Sequence, residues 1–360
     1  MQINKHKSGI LIFLFLPLLI FAQQNTISPY SAFGIGDLQG GGFSLNNALG
    51  GCGVAMRPTS TLNPINPASL SALTETVFET GISGSAMFLK DNTLSQEAFT
   101  STISYLSLGF PISNGFAISG GLLPYSYRGF ELSKNTDLIN QEDTLNYSIN
   151  YSGSGGLNRA YVNLGVKPIK NISIGATTSM IFGALNDNRD VVFNNTHTLN
   201  RRDDNTYNVR GIIYDLGLQY HAKVGNKNLT LGAAYSPTTN LSATNTITTY
   251  TYDVVNELEY ARDTIEVFKN SNTGLVLPKK YNAGLALEKE NHWLVSGEID
   301  FKEWSQMSLF GSLEPSLKDA TQFKFGAWWI PNIKDVHNYL NTIQYRAGIN
   351  YNSGFISISS

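Results

Sequence analysis

Cysteine is almost missing from this chain. Cys52 is the single thiol among 360 residues, so no intramolecular disulfide can staple the fold, and Cys52 itself reads as a small buried side chain. Charge is scarce as well. Lys plus Arg number 25 and Asp plus Glu 27, together 14% of the chain, against about 25% in ordinary soluble domains. The formal net charge of −2 favours neither nucleic acid nor an anionic membrane surface. After the N-terminus no apolar run approaches the roughly 20 residues of a transmembrane helix. The five histidines (His6, His197, His221, His292 and His337) lack metal-ligand spacing. No Gly-x-Ser-x-Gly elbow occurs, and Gly34-Ile35-Gly36 has no preceding strand to make a nucleotide fingerprint. The expectation is therefore no catalytic residue, no metal, no cofactor, no nucleic-acid partner and no enzymatic activity.

What the chain does hold is glycine (33), phenylalanine (19) and tyrosine (18). Little charge, many aromatics and glycines, and no long apolar run together fit a transmembrane β-barrel, where lipid-facing and lumen-facing side chains alternate and average out. The start of the chain agrees. Lys5 and Lys7 precede an apolar run from Ile10 to Phe21, too short to span a bilayer, so residues 1–22 read as a secretory signal cleaved after Ala22. Cys52 lies too far downstream to carry an N-terminal lipid. Export to the outer membrane of a Gram-negative cell follows, with outer-membrane lipids as the surrounding partner.

From Glu75 onward almost every segment alternates with period two, the mark of half-apolar strands. In 342–352, Ile343, Tyr345, Ala347, Ile349 and Tyr351 share one face while Gln344, Arg346, Gly348 and Asn350 share the other. Around 292–302, Trp293, Val295, Ile299 and Phe301 oppose Leu294, Ser296, Glu298, Asp300 and Lys302. Equivalent patterns occupy 171–184, 210–222, 228–237, 279–288 and 322–330, with noisier ones at 76–89, 99–111, 115–129 and 147–167. Ser152 to Gly156 marks a bend within the last of these. That makes eleven strands. Short turns at Pro111–Gly115, Lys167–Asn171, Val224–Asn228 and Glu288–Asn291 alternate with long polar connections at 130–146, 185–206, 242–276 and 303–320. Pro331–Asn341 is of medium length on the short side. Short periplasmic and long extracellular connections are the asymmetry of an outer-membrane barrel. Trp293, Trp304, Trp328 and Trp329 fall near strand ends and read as interface anchors. Single-chain bacterial barrels have even strand numbers and tolerate no open edge in lipid. The expectation is that 75–360 is a C-terminally incomplete barrel.

Residues 23–74 lack the alternation and contain Asn63-Pro64-Ile65-Asn66-Pro67-Ala68-Ser69-Leu70, whose prolines would interrupt a central ladder. They read as a compact element ahead of the barrel. That stretch resembles the N-terminal hatch of the FadL-like (OmpP1/FadL/TodX) family of outer-membrane transporters for hydrophobic compounds. Leu277-Pro278-Lys279-Lys280-Tyr281, the later Glu303-Trp304-Ser305-Gln306 and Tyr345-Arg346-Ala347-Gly348 are similar to further family motifs. Ser28-Pro29-Tyr30-Ser31-Ala32-Phe33-Gly34 resembles a branch common in Bacteroidota.

The resemblance implies an all-β barrel of fourteen strands in the full protein, eleven of them here, with an N-terminal plug in the lumen. It also implies a channel for a small hydrophobic ligand. Some members of the superfamily in Bacteroidota serve instead as accessory subunits of outer-membrane secretion or assembly complexes, which makes complex partners the alternative. Asn63, Pro64, Asn66, Pro67, Ala68 and Ser69 are the gate candidates, or else a turn-rich connection. Glu298, Asp300, Lys302 and Arg346 are the lumen-lining candidates, either along a substrate path or as charges paired for stability.

Overall fold

The computed structural model describes residues 26–357 apart from 91–94, 140–143, 194–197, 257, 310–311 and 314–315. The signal segment and the cleavage site after Ala22 lie outside the described residues. In chain order the strands are β1 (Asp37–Leu38), β2 (Val77–Lys90), β3 (Ser95–Ser113), β4 (Phe116–Tyr127), β5 (Phe130–Ile139), β6 (Thr144–Ile169), β7 (Ile172–Phe193), β8 (Asn200–Val224), β9 (Lys227–Ser236), β10 (Thr239–Val255), β11 (Leu258–Leu277), β12 (Lys280–Lys289), β13 (Trp293–Lys302), β14 (Ser308–Leu309), β15 (Ser312–Leu313), β16 (Ala320–Trp329) and β17 (Tyr345–Asn352). A single-turn helix, α1 (Ser44–Ala48), and 3-10 turns at Pro29–Ala32 and Pro67–Ala72 belong to the segment before β2.

The wall is one antiparallel meander of eleven strands, β2-β3-β4-β6-β7-β8-β9-β12-β13-β16-β17. These are the eleven segments that alternate in the sequence. Two-residue turns join β3 to β4, β6 to β7 and β8 to β9 at one end, with Gly115 at φ +84° and Gly225 at φ +62°, a region glycine enters without steric cost. Along β13, Leu294, Ser296, Glu298 and Asp300 are buried while Val295, Ile299 and Phe301 are exposed. The exposed set continues around the wall through Leu216, Leu218, Tyr281, Phe323 and Phe325, forming the lipid-facing stripe of a transmembrane barrel. β6 is a single strand that changes partner from β5 to β4 between Gly153 and Gly156, and Gly155 takes φ +100° there, so the bend falls within the glycine run.

Three connections differ from the sequence reading. Stretches 130–146, 185–206 and 242–276 are mostly strand: β5 with the start of β6, the ends of β7 and β8, and the β10–β11 hairpin. Threonines, tyrosines and asparagines occupy both faces of that hairpin. A ladder standing in water needs no apolar face, so the missing alternation disguised pairing that β-branched and aromatic residues favour. Trp304 and Trp328 also differ from the expected interface anchors. They are 4% and 8% exposed: Trp328 falls on the inward register of β16, and Trp304, in the 3-10 turn Trp304–Gln306 after β13, packs into a buried apolar cluster. Trp329 is on the outer face.

The segment before β2 packs against the inner face of the wall, and its Ile35 joins Leu157, Ile181, Leu185, Val209, Leu241, Leu275, Trp304 and Met307 in one buried apolar cluster. Cys52 is fully buried beside Leu49, Leu294 and Trp328.

Candidate functional site

The inner face of the wall carries glycines where other barrels carry side chains. Gly165 opposes Gly175, Gly175 opposes Gly217, Gly232 opposes Gly284, and Gly326 opposes Gly348. A Cβ placed on any of these would come within 3.0 Å of an atom of the plug: Pro67 or Leu70 at Gly165, Pro67 and Ala68 at Gly175, Asn66 and Pro67 at Gly217, Val54 at Gly232 and Gly284, Leu49 at Gly326 and Gly50 at Gly348. The plug therefore rests on bare sheet backbone along much of the circumference.

Asn66 is the hinge of this contact. Its extended backbone caps the 3-10 turn Pro67–Ala72, its Oδ1 accepts from Ala68 N–H, and proline at the first position suits the fixed φ of a turn start. Its amide donates to Val54 O (2.7 Å) within the plug and to Leu218 O and Ala233 O (3.3 Å each) in the wall. Asn63 Nδ2 donates to Gly53 O (2.7 Å) and holds the plug together internally. Ala68 and Ser69 are buried, and Pro64 is half-buried. The six plug candidates thus form one structural unit. Asn66, Pro67 and Ala68 touch the wall.

The charged candidates separate into three places. Glu298 and Asp300 meet Lys324, a residue missed by the sequence reading: its Nζ is 3.0 Å from Glu298 and 2.7 Å from Asp300. The other Glu298 oxygen accepts the backbone amides of Gly53 (2.7 Å) and Val54 (2.8 Å). Asn282 donates to Asp300. Charge-assisted bonds of this kind are about twice as strong as neutral ones, so the wall grips the plug here most firmly. Across the lumen, Gln219 donates to Val54 O and Met56 O, while Arg57 donates to Gln219 and Ser173. Arg346 is apart from all of this. It is exposed on β17, bonded to Gln344, and lines the mouth on the side of the short turns together with Arg57 and Trp328.

Lys302 lies elsewhere, at a seam in the wall. β8 pairs with β10 as far as Arg210 and with β9 from Leu216, which leaves 211–215 without a ladder on that side. β11 and β12 are likewise separated by Pro278-Lys279, opposite Pro237-Thr238. Proline removes a donor and ends ladders, and here each of the two facing segments carries one. Behind the seam is a cavity of about 110 Å3, bounded by Leu38, Arg159, Ile213, Asp215, Pro237, Pro278, Lys280, Lys302 and Trp304. Tyr214, on the outer face, also lines it, so the cavity reaches the wall itself.

A family model described as BamG matches residues 5–360. The chain belongs to the BamG family. Comparison with curated proteins gives no match. Among solved structures, this BamG-family chain is similar to the toluene transporter TbuX of Ralstonia pickettii, at 15% identity and a TM-score of 0.52 over 87% of each chain. It is also similar to a deletion mutant of the monoaromatic hydrocarbon channel TodX (16%, TM-score 0.52, 89% of this chain and 84% of that one). The monoaromatic hydrocarbon channel CymD gives 15%, a TM-score of 0.50, and 89% and 85% coverage. At such identities the likeness establishes a shared β-barrel fold, and fold alone does not fix function.

Proposed function

We propose that this chain is a non-transporting accessory barrel of an outer-membrane assembly complex, exported by a signal cleaved after Ala22 and belonging to the Bacteroidota-type branch. The observation that carries the reading is the docking of the plug. A gate needs an element with two arrangements of similar energy. Here the plug is seated on wall glycines, and displacing it would strip Glu298 of two amides inside a desolvated site. Breaking a buried charged network of this sort costs roughly 3–5 kcal/mol. An apolar cluster packs inside the wall next to the plug, and the cavity at the seam carries Arg159, Asp215, Lys279, Lys280 and Lys302 among its lining residues. BamG-family membership is compatible with the same role.

A second reading is uptake of a small hydrophobic compound with residues 63–69 as the gate. The proline seam favours it, since it places a cavity against a break in the wall, and the structural neighbours named above are hydrocarbon channels. Isolation of the full chain from native outer membrane, with its complex kept intact by mild cross-linking, separates the two. The accessory role predicts a defined complex of fixed stoichiometry and no uptake of toluene by liposomes carrying the purified chain. Saturable toluene uptake by the chain alone would overturn it.

A further inference from the structure

Lys280 and Lys302 stand directly opposite each other on β12 and β13, and both line the seam cavity. Like charges facing across a strand pair are destabilising, more so where the effective dielectric is low. Among the described residues no carboxylate comes within salt-bridge distance of either ammonium. The nearest acids are already engaged: Asp215 holds Arg159 at 2.5 Å and accepts from Ser236, and Asp300 holds Lys324 and accepts from Asn282. With Lys279 and Arg159 also at the cavity, four cations line it against the one lining carboxylate of Asp215, and the Glu298–Asp300 pair, which shares the single cation of Lys324, is next along β13. An anion seated between Lys280 and Lys302 would relieve their mutual repulsion.

The outer surface says which anion. Four cavity residues alternate with outward-facing neighbours: Lys280 with Tyr281, Lys302 with Phe301, Asp215 with Leu216, Ser236 with Tyr235. Those neighbours line an apolar groove on the outside of the wall at the foot of the seam, with Tyr235 and Tyr281 ring centroids 5.2 Å apart. An apolar groove in lipid and a cationic cavity in the lumen thus meet at a wall break where 211–215 make no ladder bonds on that side. We propose that this is a binding site for an anionic membrane amphiphile, with its phosphate seated between Lys280 and Lys302 and its acyl chains in the outer groove. Lysine serves here as a compact point charge for phosphate. The bound lipid seals the seam instead of passing through it. This goes beyond the assembly reading and does not depend on it.

The test uses the full chain purified in a non-ionic detergent and titrated calorimetrically with dihexanoyl phosphatidic acid, with inorganic phosphate and with dihexanoylglycerol. The phosphatidic acid should bind at least about tenfold more tightly than either of the others, with an affinity that falls as salt rises. Lys280→Gln with Lys302→Gln should weaken it by about tenfold or more, while Lys280→Arg with Lys302→Arg should retain it. Without lipid, the glutamine pair should be at least as stable as the parent, because a repulsion has gone. Inorganic phosphate binding as tightly as the lipid would overturn the membrane origin of the anion. Equal binding of dihexanoylglycerol, or unchanged affinity in the glutamine pair, would overturn the site.

Discussion

Lys324 Nζ lies 3.0 Å from Glu298, a wall carboxylate whose other oxygen accepts two amides of the plug. Lys324→Met would leave two buried carboxylates 298 and 300 without their cation, which costs roughly 3–5 kcal/mol. The loss should appear as a lowered denaturation midpoint and as protease access to 50–57. Adding Glu298→Gln should recover part of it, since removing both partners of a buried pair is far milder than removing one. Equal stability of the single and double variants would show that the carboxylate is not what anchors the plug.

The glycine belt yields a prediction about shape. Gly175→Val puts a branched side chain where Pro67 and Ala68 now sit, and overpacking of a closed site typically costs about 1–3 kcal/mol. The outward-facing Gly297 meets only Phe325 at 3.5 Å, so Gly297→Val should be well tolerated and serves as the control. Barrel closure rests on inter-strand hydrogen bonds, so both variants should keep heat-modifiable migration on a gel. Only the Gly175 variant should expose the plug to protease.

The wall was legible because lipid on one side and a packed interior on the other impose period two, and all eleven wall strands carry that mark. The belt was legible too, yet unread: Leu164-Gly165-Val166, Ile174-Gly175-Ala176, Leu216-Gly217-Leu218, Leu231-Gly232-Ala233, Ala283-Gly284-Leu285, Phe325-Gly326-Ala327 and Ala347-Gly348-Ile349 repeat an apolar-glycine-apolar triplet on the inward register. Glycines repeatedly placed where a side chain should fill a lumen signal that a backbone approaches closely. Lys324 was hidden for another reason. Its partners Glu298 and Asp300 are both on β13, 26 and 24 residues away, and nothing local marks one inward lysine as the mate of Glu298. The β10–β11 hairpin was misread because water on both faces erases the pattern that identified the rest.

Beyond the lipid-facing stripe, Arg202 joins four strands. It contacts Asp190 on β7 at 2.5 Å and Glu259 on β11 at 2.7 Å, and stacks 4.8 Å from the Tyr252 ring centroid on β10. The hydrogen bond from Arg202 holds the Glu259 carboxyl below its usual pKa. A depressed folded-state pKa contributes stability above the unfolded value of 4.5, and that contribution disappears as pH falls through the folded value. Glu259 is 50% exposed, so solvent screening keeps the effect under about 1 kcal/mol. Hydrogen exchange of 239–277, corrected for intrinsic rates, should show less protection near pH 3 than at pH 7. Arg202→Gln should abolish that difference.

Deleting 23–74 discriminates between the two functional readings. The wall should still insert, since its ladders and lipid-facing stripe do not include the plug. In the accessory reading the plug is a static filler that sets the shape of the barrel. Its removal should open leakage of small polar solutes, because the belt glycines leave a wide lumen behind, while toluene accumulation stays at the level of empty liposomes before and after deletion. The same deletion should release the chain from its native complex, because the barrel loses the filler that sets its shape. In the uptake reading the intact chain takes up toluene saturably and the deletion removes saturation. Asn66→Ala sharpens the comparison. It removes the cap on Ala68 and the bonds to Leu218 and Ala233, a loss of about 1–2 kcal/mol that loosens the plug without emptying the lumen. A gate loosened in this way should conduct more toluene. A filler should conduct none, and the variant should differ from the parent only in stability and in how firmly it stays in its complex.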